Sequence, residues 1–255
     1  MRSPALALAL GLALSPPGAL TTAHAAAAAA AASDVAGPAT LPPIPPPIPQ
    51  PWSARGNEPS WVLNLEAGRM IYRTMEETLE APLPAPEMQD GAWVYRAPQG
   101  PLTLTVARKI CRDTMTGMPS PMSVQVQTAA ARVTGCGGNP SELLAGGEWR
   151  VTAIGDAPVP PDVMVSLDFD TVAGQVSGSS GCNRYFGAFT LSGEGVRFTP
   201  GMAASRMACE EAQTAIERTF LSTLAKVQRF DIDPDGSLRL IADDRTAISA
   251  ARVGR

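Results

Sequence analysis

The sequence predicts an α+β protein: a small all-β domain followed by a mostly antiparallel sheet that carries one amphipathic helix. Three observations lead there. Apolar residues alternate with period two through most of the chain after Trp52, a single stretch after Cys209 switches to helical spacing, and Gly or Pro punctuates nearly every run.

The chain opens on a targeting segment. Arg2 precedes an apolar run, Ala5 to Leu14, which is followed by Ser15-Pro-Pro-Gly18 and by Ala23-His24-Ala25, the pattern of a secretory signal peptide spanning residues 1–25 with an A-x-A cleavage site. The run is about half of what a membrane-spanning helix needs, and no later stretch approaches that length. Residues 26–51 begin as an alanine tract and continue through Leu41-Pro-Pro-Ile-Pro-Pro-Pro-Ile-Pro49. This composition reads as an extended tether with polyproline II character, so folded structure is expected to start near Trp52.

Residues 52–140 form the predicted all-β domain. Trp61, Leu63 and Leu65 share one face; Glu66-Ala-Gly-Arg69 turns the chain into Met70-Ile-Tyr-Arg73. Trp93 and Tyr95, then Leu102, Leu104 and Val106, then Val124 and Val126 repeat the alternation. Residues 141–255 form the second domain. Its strands are Trp149–Ile154, the alternating run Val163 to Phe169, Gln175–Gly178 and Phe186–Leu191. A helix then places Ala212, Ile216, Phe220, Leu224 and Val227 on one stripe, with Glu210 and Glu211 in its first turn, where the dipole favours anions. A hairpin around Pro234-Asp235-Gly236 and a last strand, Ile248–Arg252, complete it. The connections are too short for crossovers, which makes the sheet antiparallel.

Composition excludes several function classes. The net charge is −4, from 20 Lys+Arg and 24 Asp+Glu, and the cations are scattered singly, so no stripe exists to neutralise a run of phosphates and no nucleic-acid partner is expected. The only histidine, His24, lies in the segment to be removed. A mature chain without histidine has no Ser-His-Asp or Cys-His arrangement and no His-ligated zinc. The four cysteines of an exported chain read as disulfides. Of the three pairings, only Cys111 with Cys136 and Cys182 with Cys209 keeps each bridge inside one domain. Without a C-x-x-C, neither a redox dithiol nor a zinc knuckle is expected.

Other motifs are weaker. Asp231-x-Asp233-x-Asp235-Gly236 matches the first half of a calcium loop, but its twelfth position is Ala242, so we read a hairpin turn with solvated carboxylates. Gly178-Ser-Ser-Gly-Cys-Asn-Arg184 lacks the Gly-Lys-Ser/Thr ending of a phosphate cradle. It reads as a tight bend held by Cys182, with Asn183 capping backbone groups and Arg184 pairing with an acid. Ser60, Ser179 and Ser180 have no base, and the only lysines, Lys109 and Lys226, sit in no recognisable dyad. A hydrolase would require Glu58, Asp113 or Lys109 to cluster in a cleft. Met115, Met118 and Met122 read as core packing rather than as a soft docking surface.

Two resemblances follow from these residues. Val176-Ser-Gly-Ser-Ser-Gly-Cys-Asn-Arg-Tyr-Phe-Gly187, then Met202-Ala-Ala-Ser-Arg-Met-Ala-Cys209 and the helix from Glu210, resemble the META domain of the heat-inducible HslJ proteins over about residues 141–253. The resemblance implies a cracked β-barrel or sheet crossed by a helix, in an envelope protein linked to stress or antibiotic tolerance, with no enzyme activity and no cofactor. Its signature residues carry over as Cys182, Asn183, Arg184, Arg206, Met207 and Cys209. The HslJ-type proteins are often lipoproteins, and no lipid-bearing Cys occurs here. Ala54-Arg-Gly-Asn-Glu-Pro-Ser-Trp61, Cys111-Arg-Asp-Thr-Met-Thr-Gly-Met-Pro119 and Gly135-Cys-Gly-Gly138 resemble an uncharacterised β-rich domain that accompanies META in exported bacterial proteins. Arg55, Asn57, Glu58 and Asp113 are its polar members and the first place to look for a ligand site. The expectation is a monomeric, periplasmic, non-enzymatic protein that binds an envelope component or serves stress tolerance. The alternative is a periplasmic inhibitor or partner-binding module acting on a cell-wall lytic enzyme.

Overall fold

The computed structural model describes residues 48–254; the segment expected to be a signal peptide and the expected tether up to residue 47 lie outside the described residues. From Pro46 to Arg255 the chain is one compact unit. Its first part contains β1 (Trp52–Asn57), β2 (Ser60–Glu66), β3 (Arg69–Thr74), β4 (Thr78–Pro82), β5 (Glu87–Gln89), β6 (Ala92–Arg96) and β7 (Thr103–Ala107), then the short pair β8 (Cys111–Arg112) and β9 (Pro119–Ser120), then β10 (Met122–Gln127) and β11 (Arg132–Gly137). Apart from β8 and β9, these make one nine-stranded antiparallel sheet in the order β4-β3-β2-β1-β11-β10-β7-β6-β5, curved into a half-barrel.

The alternation decides which face is which. Trp61, Leu63, Leu65, Leu104, Val106, Val124 and Val126 point inward and are buried, while Arg55, Asn57, Thr105, Ser123 and Gln125 lie on the outer face. Glycines in β1 and β11 make room for two indoles on the inner face. A Cβ on Gly56 would lie 2.2 Å from Trp61 Nε1, and one on Gly137 would lie 2.4 Å from the Trp52 ring. β1, β4 and β11 had no strong apolar alternation, which is why the sequence reading missed them. Ile48, assigned to the tether, is buried in this core at 6% exposure, and the Gln50 side chain accepts the Gly68 N–H at 2.9 Å; an isolated Ile among prolines is apolar enough to dock.

After the single turn α1 (Ser141–Leu144), the second part contains β12 (Trp149–Ile154), β13 (Ala157–Pro158), β14 (Ser166–Asp170), β15 (Gln175–Ser179), β16 (Arg184–Leu191), β17 (Val196–Phe198), β18 (Ala203–Ala204), α2 (Glu211–Leu224), β19 (Arg229–Ile232), β20 (Leu238–Ala242) and β21 (Arg245–Arg252). The strands follow the order β17-β16-β15-β14-β12-β21-β20-β19 and form a nearly closed barrel. The gap between β17 and β19 is bridged where the Val196 N–H reaches the Gln228 carbonyl at 2.9 Å. Gly195 permits that approach, since a Cβ there would meet the same oxygen at 2.2 Å.

α2 packs against β12 and β21 and buries Phe220 and Leu224. The stripe is rotated from the expected one: Ala212 is exposed, while Gln213, Ile216 and Glu217 are half-buried, and Val227 lies beyond the helix end. The run Val163 to Phe169 becomes a full strand only from Ser166, because Val165 makes an isolated bridge to Ser180 before the ladder begins. Both disulfides pair locally, Cys111 with Cys136 and Cys182 with Cys209. No helix among the described residues is long and apolar enough to cross a membrane.

The two parts meet through the segment tied down by Cys111. Met118 is buried in the hydrophobic cluster of the second barrel, and Ile110 packs against it. Met122 instead belongs to the first core, whereas Met115 is 79% exposed.

Candidate functional site

The outer face of the half-barrel holds a cleft of about 510 Å³. Its floor comes from alternate residues of four neighbouring strands: Arg55 and Asn57 on β1, Thr134 and Cys136 on β11, Ser123 and Gln125 on β10, Thr105 and Ala107 on β7. Register places Arg55 opposite Cys136 and Cys136 opposite Ser123. The Cys111–Cys136 bridge therefore fastens the segment Cys111-Arg-Asp-Thr114 above the polar face, as one wall of the cleft. Closing a loop of 25 residues is worth roughly 3 to 4 kcal/mol against the unfolded chain.

Asp113 organises this wall. Its Oδ1 accepts hydrogen bonds from Met115 N and Thr116 N at 2.9 Å and from Asn57 Nδ2 and Thr116 Oγ1 at 3.2 Å. Asn57 Nδ2 also donates to Thr114 Oγ1 at 3.0 Å. Burial acts to raise the Asp113 pKa, but the N–H groups of Thr116 and Met115 and the Asn57 and Thr116 side chains outweigh it and hold the carboxyl below its ordinary range. Arg55 approaches it with Nε 3.7 Å from Oδ2. Glu58 is exposed on the rim, and Lys109, also exposed, does not line the cleft. The structure thus brings Arg55, Asn57, Glu58 and Asp113 together around one cleft.

Arg112, not singled out in the sequence, joins the wall to the second barrel. Its Nε lies 3.0 Å from both Asp231 carboxylate oxygens, and its Nη2 donates to the Ile232 carbonyl at 3.0 Å. Arg239 reaches the same carboxylate through Nη2 at 3.1 Å, and its Nε sits 2.9 Å from Asp233 Oδ1, in ion-pair contact but out of line for a hydrogen bond. The Asp231-x-Asp233-x-Asp235 hairpin is present, with one correction: Asp231 is buried and ion-paired rather than solvated. Asp235 faces Ser237, and no group of three or more metal-ligating side chains occurs among the described residues.

The second set of residues clusters around Asn183. Its Oδ1 accepts from Ser205 Oγ and from Met207 N, each at 2.8 Å, so the side chain clips the segment before Cys209 to the bend after Ser180. Its backbone N–H donates to Glu217 Oε2 at 2.9 Å and its Nδ2 to Glu217 Oε1 at 3.1 Å. Ser180 Oγ lies 2.5 Å from Glu217 Oε2 and 2.7 Å from the Asn183 carbonyl, its one proton serving one acceptor at a time. Burial pushes the Glu217 pKa up, but the bonds from Ser180 and Asn183 prevail and keep it below the ordinary value. Sequence reasoning missed Glu217. The usable signal was an acid three residues before Phe220, hence on the inward side of the helix.

The remaining signature residues stay outside this network. Arg184 is exposed and makes no ion pair among the described residues, against the expected acid partner: it points outward on a strand whose next residue, Tyr185, is the buried one. Arg206 is exposed, and Met207 contributes its backbone while its side chain is 59% exposed. Ser180 and Asn183 are buried.

A family model matches the second part of the chain. Residues 142–253 match the model of the META domain family. No curated protein matches the chain. A solved structure described as the NMR structure of the protein from Burkholderia xenovorans is similar at 27% identity, covering 46% of this chain and 90% of that one, with a TM-score of 0.39.

Proposed function

From a chain whose C-terminal part, residues 142–253, is a META domain, we propose an exported, non-enzymatic binding protein of the bacterial envelope that takes its ligand in the cleft beneath Cys111–Thr114. The two disulfides fit an oxidising compartment. One observation carries the binding reading. The side chains of Thr105, Ser123, Gln125 and Thr134 line the cleft and make no hydrogen bond with any described residue, so a floor of unspent donors and acceptors faces outward. Other polar atoms nearby are already engaged: Asp113 Oδ1 and Asn57 Nδ2 are held by local bonds.

The same chemistry argues against catalysis. A general acid needs a raised pKa, and Asp113 is held the other way. Ser180 lies fully buried beside Glu217, where no substrate reaches it. Supporting an envelope under stress by holding one of its components fits this arrangement.

Native mass spectrometry of the protein, exported with its own signal and purified gently, tests the reading. An adduct that disappears on denaturation, and is depleted when Ser123 and Gln125 are both replaced by alanine, supports it. A bare chain in every preparation sinks small-ligand binding.

A further inference from the structure

Two arginines line the cleft, and they are used differently. Arg112 turns toward the second barrel and spends Nε and Nη2 on Asp231 and on the Ile232 carbonyl. Arg55 pairs with Asp113 at 3.7 Å, Nε to Oδ2, and its two terminal nitrogens donate a hydrogen bond to no described residue. Asp113 cannot take more from it at Oδ1, which already accepts from Asn57, Met115 and Thr116. The result is a guanidinium fork, half-exposed, standing beside neutral hydroxyl and amide side chains.

The fork is also seated from behind. The turn between β16 and β17 passes so close that a Cβ on Gly193 would come 2.8 Å from Arg55 Nη2 and 3.2 Å from Nη1. Gly193 has no left-handed backbone angle that would itself demand glycine, so the room it leaves is room for the guanidinium. The second part of the chain thereby touches the guanidinium of an arginine that lines a cleft built entirely from the first part.

We propose that Arg55 anchors the carboxylate of a small polar acid, while Thr105, Ser123, Gln125 and Thr134 meet the hydroxyl or amide groups that the acid carries. This rests on the cleft being the binding site. A planar guanidinium with two unspent nitrogens matches a carboxylate through two parallel bonds. A dianionic phosphate is disfavoured: Arg112 is already paired, and Asp113 and Glu58 add negative charge to the same cleft. A sugar acid and a free peptide C-terminus both present this chemistry, and the test separates them.

The test is an NMR titration of the oxidised, signal-cleaved full chain with two matched pairs of probes: glucuronic acid against glucose, and acetyl-alanyl-alanine against its C-terminal amide. The expected result is that one acid shifts the amides of Thr105, Ser123, Gln125 and Thr134, with its neutral partner weaker by about tenfold, as a charge-assisted contact gives. Which acid does so identifies the source. Arg55→Gln should erase the preference for the acid. Gly193→Ala, which alters none of Thr105, Ser123, Gln125 and Thr134 and presses on the Arg55 fork, should weaken the acid and not its neutral partner. Equal binding of acid and neutral probe overturns the carboxylate assignment while leaving the cleft as a binding site. Silence from all four probes also overturns it, and the native mass spectrum then judges the binding reading separately.

Discussion

Replacing Glu217 by alanine removes the acceptor on which a buried asparagine depends. In the native protein Glu217 takes the Asn183 N–H at 2.9 Å and the Asn183 Nδ2 at 3.1 Å, and it stands 2.5 Å from Ser180 Oγ. Ser180 keeps a partner in the variant, because its hydroxyl already lies 2.7 Å from the Asn183 carbonyl. The Asn183 backbone N–H keeps none, its Nδ2 keeps only the weak acceptor Cys182 Sγ at 3.3 Å, and Asn183 is only 6% exposed. Each unsatisfied buried donor costs roughly 1 to 3 kcal/mol, and water entering past the half-buried helix face trims the sum to about 2 to 4 kcal/mol. With a urea slope of about 2 kcal/mol per molar, the unfolding midpoint should fall by about 1 to 2 M. Glu217→Gln keeps one oxygen as acceptor and should lose about half as much. The pH dependence supplies an independent check. Because hydrogen bonds depress the Glu217 pKa in the folded state, its contribution is complete above the ordinary value of 4.5 and is lost as the pH falls through the lower folded-state value. The gap between the native protein and Glu217→Gln, followed by far-UV circular dichroism in urea, should therefore be full at neutral pH and close under acid. A midpoint shift below about 0.3 M for the alanine variant, or a gap that widens on acidification, would refute the reasoning.

Two further outcomes follow from the same geometry. Gly56→Ala places a Cβ 2.2 Å from Trp61 Nε1 and 2.6 Å from the Thr134 carbonyl, where backbone cannot yield; thermal unfolding should show a loss of about 3 kcal/mol, and an unchanged melting temperature would contradict the indole-over-glycine packing. Arg112→Met retains stem length but leaves Asp231 with Arg239 alone. The loss should be about 1 to 2 kcal/mol, modest because Arg112 is partly exposed, and hydrogen exchange should quicken at Met115 and Thr116; unaltered exchange there would show that the second barrel does not steady the cleft wall.

The position of that wall gives the chain's architecture a functional sense. One side of the segment from Ile110 to Met118 belongs to the second barrel's core and to Asp231; the other faces the cleft through Asp113 and Thr114. A loop that carries binding groups is ordinarily among the less stable parts of a protein. Here a disulfide at Cys111 and a buried Met118 hold it from both ends.

What the sequence determined by itself is what near neighbours along the chain decide. Strands such as β2, β7 and β10 show in the alternation of Trp61-Val-Leu63, Leu104-Thr-Val106 and Val124-Gln-Val126, since one face of each is buried. The helix after Cys209 shows in its changed period, the two bridges in the order of the cysteines, and the META part in its Cys-Asn-Arg and Arg-Met-Ala-Cys segments. The polar residues Arg55, Asn57, Glu58 and Asp113 stood out by motif, but a motif does not say that they meet. Their meeting depends on β1 pairing with β11, which sets Arg55 beside Cys136, and on the bridge that then draws Asp113 over the sheet. β1 and β11 themselves were hidden, because their glycines read as chain breakers until the indoles of Trp52 and Trp61 fill the space above them. Glu217 was invisible, and the burial and pairing of Asp231 unforeseen, for a related reason. Asn183 lies 34 residues from Glu217 and Arg112 lies 119 from Asp231, and only the tertiary fold supplies the desolvated, hydrogen-bonded surroundings that turn an ordinary acid into a structural one.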